Sequence, residues 1–219
     1  SYDTAASDDD IDQKTRETDY TACTVWGVFN IAGAFPEDAK KRGPNNKFPR
    51  YGIVLCEAWH ERIPFPELLE KARAQHKTKW GSPGRKADLV LIEDKSSGRQ
   101  LRQIMAQWGV PCWPFNPGKM SKTMRAHAAS PIVKQKMVYV PESGLPERKG
   151  QVRDWAVWWM EEVCSFAGKG SIEYDDGVDT FTQALLYLHA KDILTPHTLL
   201  KEDEDTRRER EERQALVER

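Results

Sequence analysis

The sequence predicts an α/β fold built on a mixed sheet, and three observations carry that expectation. Two β-branched and aromatic runs, Tyr20 to Phe29 and Tyr51 to Trp59, lie early in the chain and read as an antiparallel pair of strands. Ala87 to Lys95 then holds an unbroken apolar core, Leu89 to Ile92, the mark of a central strand covered on both faces. Beyond it, short strands alternate with helical stretches, and the chain closes on packed apolar helices.

Taken in order, the elements follow from local signals. Ser7 to Asp19 is acidic and polar and reads as a mobile segment. Asn30 to Pro49 is read as loop, rich in Gly, Pro and Asn, around the basic residues Lys40, Lys41, Arg42, Lys47 and Arg50. Pro66 to Trp80 is helical, with proline in its first turn and Leu68, Leu69 and Ala72 facing inward. A helix from Ser96 through Trp108 and a strand from Val110 to Phe115 follow the central strand. Ser121 to Lys136 is helical in composition, with Pro131 as a possible interruption. Met137 to Val140 is a brief strand and Pro141 to Gly150 a polar loop. Val152 to Phe166 forms a helix with Trp155, Trp158 and Trp159 on or near its buried side. The last apolar run, Thr180 to Leu188, places Val178, Phe181, Leu185 and Leu188 at helical spacing. Residues 1–194 are therefore read as one domain, and residues 195–219, almost wholly charged from Lys201, as a solvated helix or tail.

With 219 residues and 39% hydrophobic content, the chain is long enough for one real core. Cys23, Cys56, Cys112 and Cys164 are far apart and form no C-x-x-C pair, which excludes a zinc ribbon and suggests buried thiols in a reducing compartment. No signal peptide and no run of membrane-span length occur, so a soluble, cytoplasmic protein is expected, without a membrane partner. The start at Ser1-Tyr2-Asp3, without methionine, reads as a piece of something longer.

The chemistry lies in the acids. Asp175, Asp176 and Asp179 crowd the start of the last helix. One explanation is a helix cap, with Asp176 at the N-cap and Asp179 at N3, both favoured by the helix dipole. A cap uses one or two acids, so the surplus charge alternatively points to a divalent cation. Glu93 and Asp94 stand at the C-terminal end of the central strand, where ligands of open α/β sheets bind, although a strand leaving the core also ends on charge. Asp3 is a lone acid on a possible first strand. Six Lys/Arg lie between Lys71 and Lys86, and five more (Lys119, Lys122, Arg125, Lys134, Lys136) between Gly118 and Lys136, with no acid in either segment. Each can be a solvated face; together they suit a polyanion held over a metal site. No Walker loop, dinucleotide fingerprint, nucleophile elbow or histidine metal spacing competes with that reading.

In order along the chain stand Tyr2-Asp3-Thr4-Ala5, Asp19-Tyr20-Thr21-Ala22-Cys23-Thr24-Val25-Trp26-Gly27-Val28 and Leu91-Ile92-Glu93-Asp94-Lys95-Ser96-Ser97-Gly98. They are followed by Lys122 to Pro131, Val138-Tyr139-Val140-Pro141-Glu142 and Tyr174-Asp175-Asp176-Gly177-Val178-Asp179. This ordered set resembles the C-terminal nuclease domain of the large terminase subunit of tailed bacteriophages. The resemblance implies a ribonuclease H-like (RuvC-like) fold and a metal-dependent endonuclease that cuts concatemeric double-stranded DNA during packaging, with two Mg2+ or Mn2+ ions. It implies Asp3, Glu93 and Asp176 as the catalytic, metal-binding acids, with Asp175 and Asp179 as further ligands or supporting acids. Lys95, Lys119, Lys122 and Arg125 would contact DNA. Implied partners are the packaging ATPase domain of the same subunit, which has no Walker loop to represent it here, the portal and the small terminase subunit, in the host cytoplasm. Two features depart from that pattern: Tyr174 stands where many relatives carry His, and an acidic insertion, Ser7 to Glu17, adjoins the first strand. The acids alone fit a Holliday-junction resolvase of the same fold equally well, and a DNA- or portal-docking module whose acids only cap helices is the non-enzymatic alternative.

Overall fold

The computed structural model describes residues 1–4, 20–36 and 51–195. The acidic insertion, the Lys40–Arg50 basic cluster and the charged tail lie outside the described residues.

Six strands form one mixed sheet: β1 (Tyr2–Asp3), β2 (Thr21–Asn30), β3 (Tyr51–Glu61), β4 (Val90–Glu93), β5 (Cys112–Phe115) and β6 (Val138–Tyr139). Their spatial order is β5-β4-β1-β2-β3-β6. β1, β2 and β3 run antiparallel in succession; β4 and β5 continue parallel from β1, and β6 lies parallel to β3. The expected antiparallel pair is thus present, and the expected central strand sits between β1 and β5. β4 is shorter than the apolar pattern suggests: Asp88 pairs with Arg85 outside the sheet, and only Val90–Glu93 finds ladder partners.

Helices cover both faces: α1 (Ile31–Ala34), α2 (Phe65–Lys77), α3 (Ser96–Gln107), α4 (Lys122–Lys134), α5 (Asp154–Ser165) and α6 (Asp176–Ala190). α1 occupies the start of the stretch read as loop, because the Asn30 side chain accepts a hydrogen bond from Gly33 N at 3.0 Å and caps it. Pro131 does not interrupt α4. The carbonyl that its missing N–H leaves unpaired, His127 O, accepts from Ser130 Oγ at 2.9 Å instead.

Two apolar layers follow from the strand period of two. Tyr2, Cys23 and Ile92 pack with Leu68 and Ala72 of α2 and Leu101 and Met105 of α3. Ile53, Leu55 and Ala58 pack with Ala129 and Ile132 of α4, Ala156 and Trp159 of α5, and Phe181 and Leu185 of α6. A bulge keeps β3 in phase: Val25 faces Glu57 and Trp26 faces Leu55, so Cys56 is the extra residue. Trp26, Trp159 and Phe181 join sheet and helices, with Trp159 meeting Trp26 and Phe181 edge to face and all ring centroids 5.2–5.7 Å apart. The cysteines are unpaired as expected, but only Cys23 is buried; Cys164 is exposed on the last turn of α5. No described helix is long and apolar enough to cross a membrane.

Candidate metal centre

The sheet register places the first two acids side by side. β1 and β4 are parallel with Tyr2 opposite Ile92, so the next residues, Asp3 and Glu93, emerge together at the same strand ends. Because Tyr2 and Ile92 face α2 and α3, period two turns Asp3 and Glu93 to the opposite face, toward α6. Both are buried. Asp94 departs to the outside, where Arg99 Nε reaches its carboxylate at 3.1 Å.

The turn after Glu93 is shaped by glycine. A Cβ on Gly98 would lie 2.2 Å from the Glu93 carbonyl oxygen and 3.3 Å from Thr4 Oγ1. The first turn of α3 therefore rests directly on the backbone that carries Glu93, and Thr4 Oγ1 and Ser97 Oγ are hydrogen-bonded there at 2.8 Å. The Lys95-Ser96-Ser97-Gly98 stretch is a structural clamp on the strand end as much as a recognisable motif.

The third acid comes from α6. Ligand oxygens of Asp3, Glu93 and Asp179 all lie within 4.8 Å of one another. The residue expected in that place, Asp176, is one turn earlier and only half-buried, at the first position of the helix. Asp179 is inside the helix and buried against the sheet.

The cap explanation of these acids does not hold. Asp175, the N-cap residue, makes no side-chain cap hydrogen bond. The free N–H groups go to Glu162 of α5, whose Oε1 accepts from Gly177 N at 2.6 Å and Val178 N at 3.2 Å. Gly177 permits this approach, since a Cβ there would meet Glu162 Oε1 at 2.9 Å and Trp158 at 3.0 Å. Glu162 is a residue that sequence reasoning missed. Nothing in α5 marks it, because the service it performs is set by helix packing.

Three cations surround the acids. Lys95 Nζ lies 2.8 Å from Glu93 Oε2 and 3.3 Å from Asp3 Oδ1. Lys122 pairs with Asp175 and lies 2.7 Å from Asp179 Oδ2. Arg125 pairs with Asp179 Oδ1 and approaches Glu93 Oε1 at 3.9 Å. Their side chains are 45%, 21% and 5% exposed respectively. Arg125 is thus enclosed as a counter-ion of the acids, not displayed to a duplex as the basic pattern suggests. Lys119 is exposed in the turn before α4. The other basic segment is elsewhere: α2, which carries Lys71, packs on the opposite sheet face, and Lys71 pairs with Glu61.

Proton affinities reflect the crowding. Burial pushes Asp3 well above the carboxylate range; Lys95 opposes this, while Glu93 and Asp179 add to it. Burial also pushes Asp179 up, against Lys122 and Arg125. Asp176 is pushed up to about 6 by burial and by Asp175 and Asp179, with Lys122 opposing. For Glu93 burial acts upward, but the hydrogen bond with Asp3 and the charges of Lys95 and Arg125 hold it below its ordinary value. Two acids on neighbouring strands thus share one site with their proton affinities driven apart.

The donor set fits a hard divalent cation. It is all carboxylate, and ligand distances of about 2.0–2.6 Å for Mg2+, Mn2+ or Ca2+ let one ion reach three oxygens this close together. No family model matches the chain, and neither a curated protein nor a solved structure matches it.

Proposed function

We propose that this chain is a metal-dependent DNA endonuclease domain of ribonuclease H-like fold, from the large subunit of a DNA-packaging terminase. The observation that carries the reading is the convergence of Asp3, Glu93 and Asp179, buried at the joined ends of two parallel strands and one helix. The mixed sheet of three antiparallel strands followed by two parallel ones is compatible with that fold. The ordered motifs support the packaging role, since two of them, Leu91 to Gly98 and Tyr174 to Asp179, meet at this one place.

Asp3, Glu93 and Asp179 would hold Mg2+ or Mn2+, which when bound supplies a Lewis acid and an activated water for phosphodiester hydrolysis. The protein's own part is positional. The β1–β4 register and Gly98 fix two carboxylates, and Glu162 fixes the helix bearing the third. Lys95, nearly half exposed at the rim, can turn from the acids to a backbone phosphate, and Lys119, exposed in the turn before α4, is a further candidate contact. Contacts of this kind go to the sugar–phosphate backbone, which would suit cleavage of low sequence specificity. The docking-module alternative loses its main support, because the acids are not needed as caps.

The test is incubation of the purified protein with supercoiled plasmid in Mn2+ or Mg2+, and with EDTA. Nicking or linearisation only with metal supports the reading. Cleavage undiminished in chelator overturns the metal centre, and cutting of branched junctions alone selects the resolvase.

A further inference from the structure

The resemblance implies two ions, but the centre already contains a cation that cannot leave. We propose that the Arg125 guanidinium takes the place of a second metal, so that the centre holds one divalent ion, admitted by displacement of Lys95. The inference rests on the metal-centre reading above and concerns its stoichiometry.

Three features carry it. First, Asp3, Glu93 and Asp179 are the only group of three among the described residues with ligand oxygens in mutual reach, and their span suits one ion. A second ion about 4 Å away needs a shared carboxylate and further ligands of its own. Of the carboxylate oxygens it could share, Glu93 Oε1 and Asp179 Oδ1 are already turned toward Arg125, and Asp179 Oδ2 is held by Lys122. Second, Arg125 is immobile as a charge. A guanidinium does not deprotonate in a protein, and this one is buried to 5% exposure between β4 and α6. Its Nε and Nη1 lack hydrogen-bond partners among the described residues, so the side chain is held by charge and enclosure at the acids and not by a network elsewhere. Third, Lys95 differs in kind: it is 45% exposed on a flexible stem, and its ammonium sits against the other two ligand oxygens, Asp3 Oδ1 and Glu93 Oε2. An incoming cation meets a removable charge in Lys95 and a fixed one in Arg125, while Lys122 holds the outer oxygen of Asp179.

Mn2+ alone is the probe, with the full chain and no nucleic acid. Ions retained through dialysis against micromolar Mn2+ are counted, and their electron paramagnetic resonance is recorded. One ion per chain with the spectrum of an isolated ion is expected. Two retained ions with a spin-coupled spectrum overturn the proposal and leave the metal centre standing; none retained overturns the metal centre itself. Lys95→Met should still retain one ion, at least about tenfold more tightly, because a competing charge within 4 Å is gone. Unchanged affinity in Lys95→Met refutes the displacement route. Arg125→Gln, if folded, should gain the second ion and the coupled spectrum; a folded Arg125→Gln that still holds one refutes the role of Arg125. If Arg125→Gln does not fold, the wild-type count and Lys95→Met decide.

Discussion

At the scale of single residues, the centre depends on which acid of Asp175, Asp176 and Asp179 faces the sheet. The sequence shows that acids crowd this helix start, and the periodicity of Val178, Phe181 and Leu185 shows that the helix has a buried face. It does not show how far into the helix an acid must be to reach neighbouring strands, because that depends on where β1 and β4 end in space. Asp179, one turn in, shares the buried side with Val178 and Phe181, whereas Asp176 stays at the rim. The two asparagine variants should therefore behave differently. Asp179→Asn removes a ligand, so it should abolish the Mn2+-induced rise in melting temperature. Asp176→Asn should stabilise the metal-free protein and retain most of that rise. Melting curves of both variants with and without Mn2+ check this, and equal behaviour would remove the distinction between the acids. Glu93→Gln gives the companion measurement. Gln has nearly the shape of Glu, but as a ligand it lacks the charge, so the Mn2+ shift should shrink and cleavage should fall by orders of magnitude.

At the scale of elements, two close approaches hold the acids in register, and only one of them is legible in the chain. The Ser96-Ser97-Gly98 signature marks the turn after Glu93, and the structure supplies the reason: a Cβ at Gly98 has no room above the Glu93 carbonyl. Gly98→Ala should destabilise the fold by about 1–3 kcal/mol and weaken Mn2+ binding, since relief of the clash must shift α3 or the end of β4. The second approach, Glu162 on the start of α6, has no sequence signal; a lone glutamate in a tryptophan-rich helix is not a motif. Glu162→Ala leaves two N–H groups without their acceptor and should cost about 1–3 kcal/mol, while Glu162→Gln, which keeps an acceptor oxygen, should cost much less. Chemical denaturation of the two variants separates capping from general loss of packing. β2, β3, β5 and β6 were legible to within two residues from their β-branched, aromatic and apolar content, whereas β4 begins three residues later than its apolar run suggests. β1 was not legible, since two residues carry no period, and it is a strand only by pairing with β2 and β4.

At the scale of the whole molecule, the buried acids make stability depend on pH in a definite direction. Four carboxyls have raised proton affinity in the folded state: Asp3, Asp179, Asp176 at about 6 and Glu162 at about 7. Burial is the leading cause for each. An acid raised on folding means that the native chain binds more protons than the unfolded one between the unfolded and folded values. In that window stability is greatest at the acidic end and is lost as the pH rises through the folded value. Three groups act the other way, the first being the Ser1 amino group, lowered by burial. His60, lowered by burial where it stacks on Trp158 at 4.0 Å, favours the unfolded chain as the pH falls through its ordinary range. Glu93, held below its ordinary value, contributes stability that is lost only at more acidic pH. One histidine and one amino group do not offset four acids, so without divalent cations the melting temperature should rise as the pH is lowered from about 8 to about 6. Saturating Mn2+ should reverse the trend, because bound metal requires deprotonated ligands and its contribution grows with pH. Scanning melting temperature against pH, in chelator and in Mn2+, yields two curves that should approach each other toward acid. Parallel curves would mean that the cation binds away from these acids, whatever the protein does to DNA.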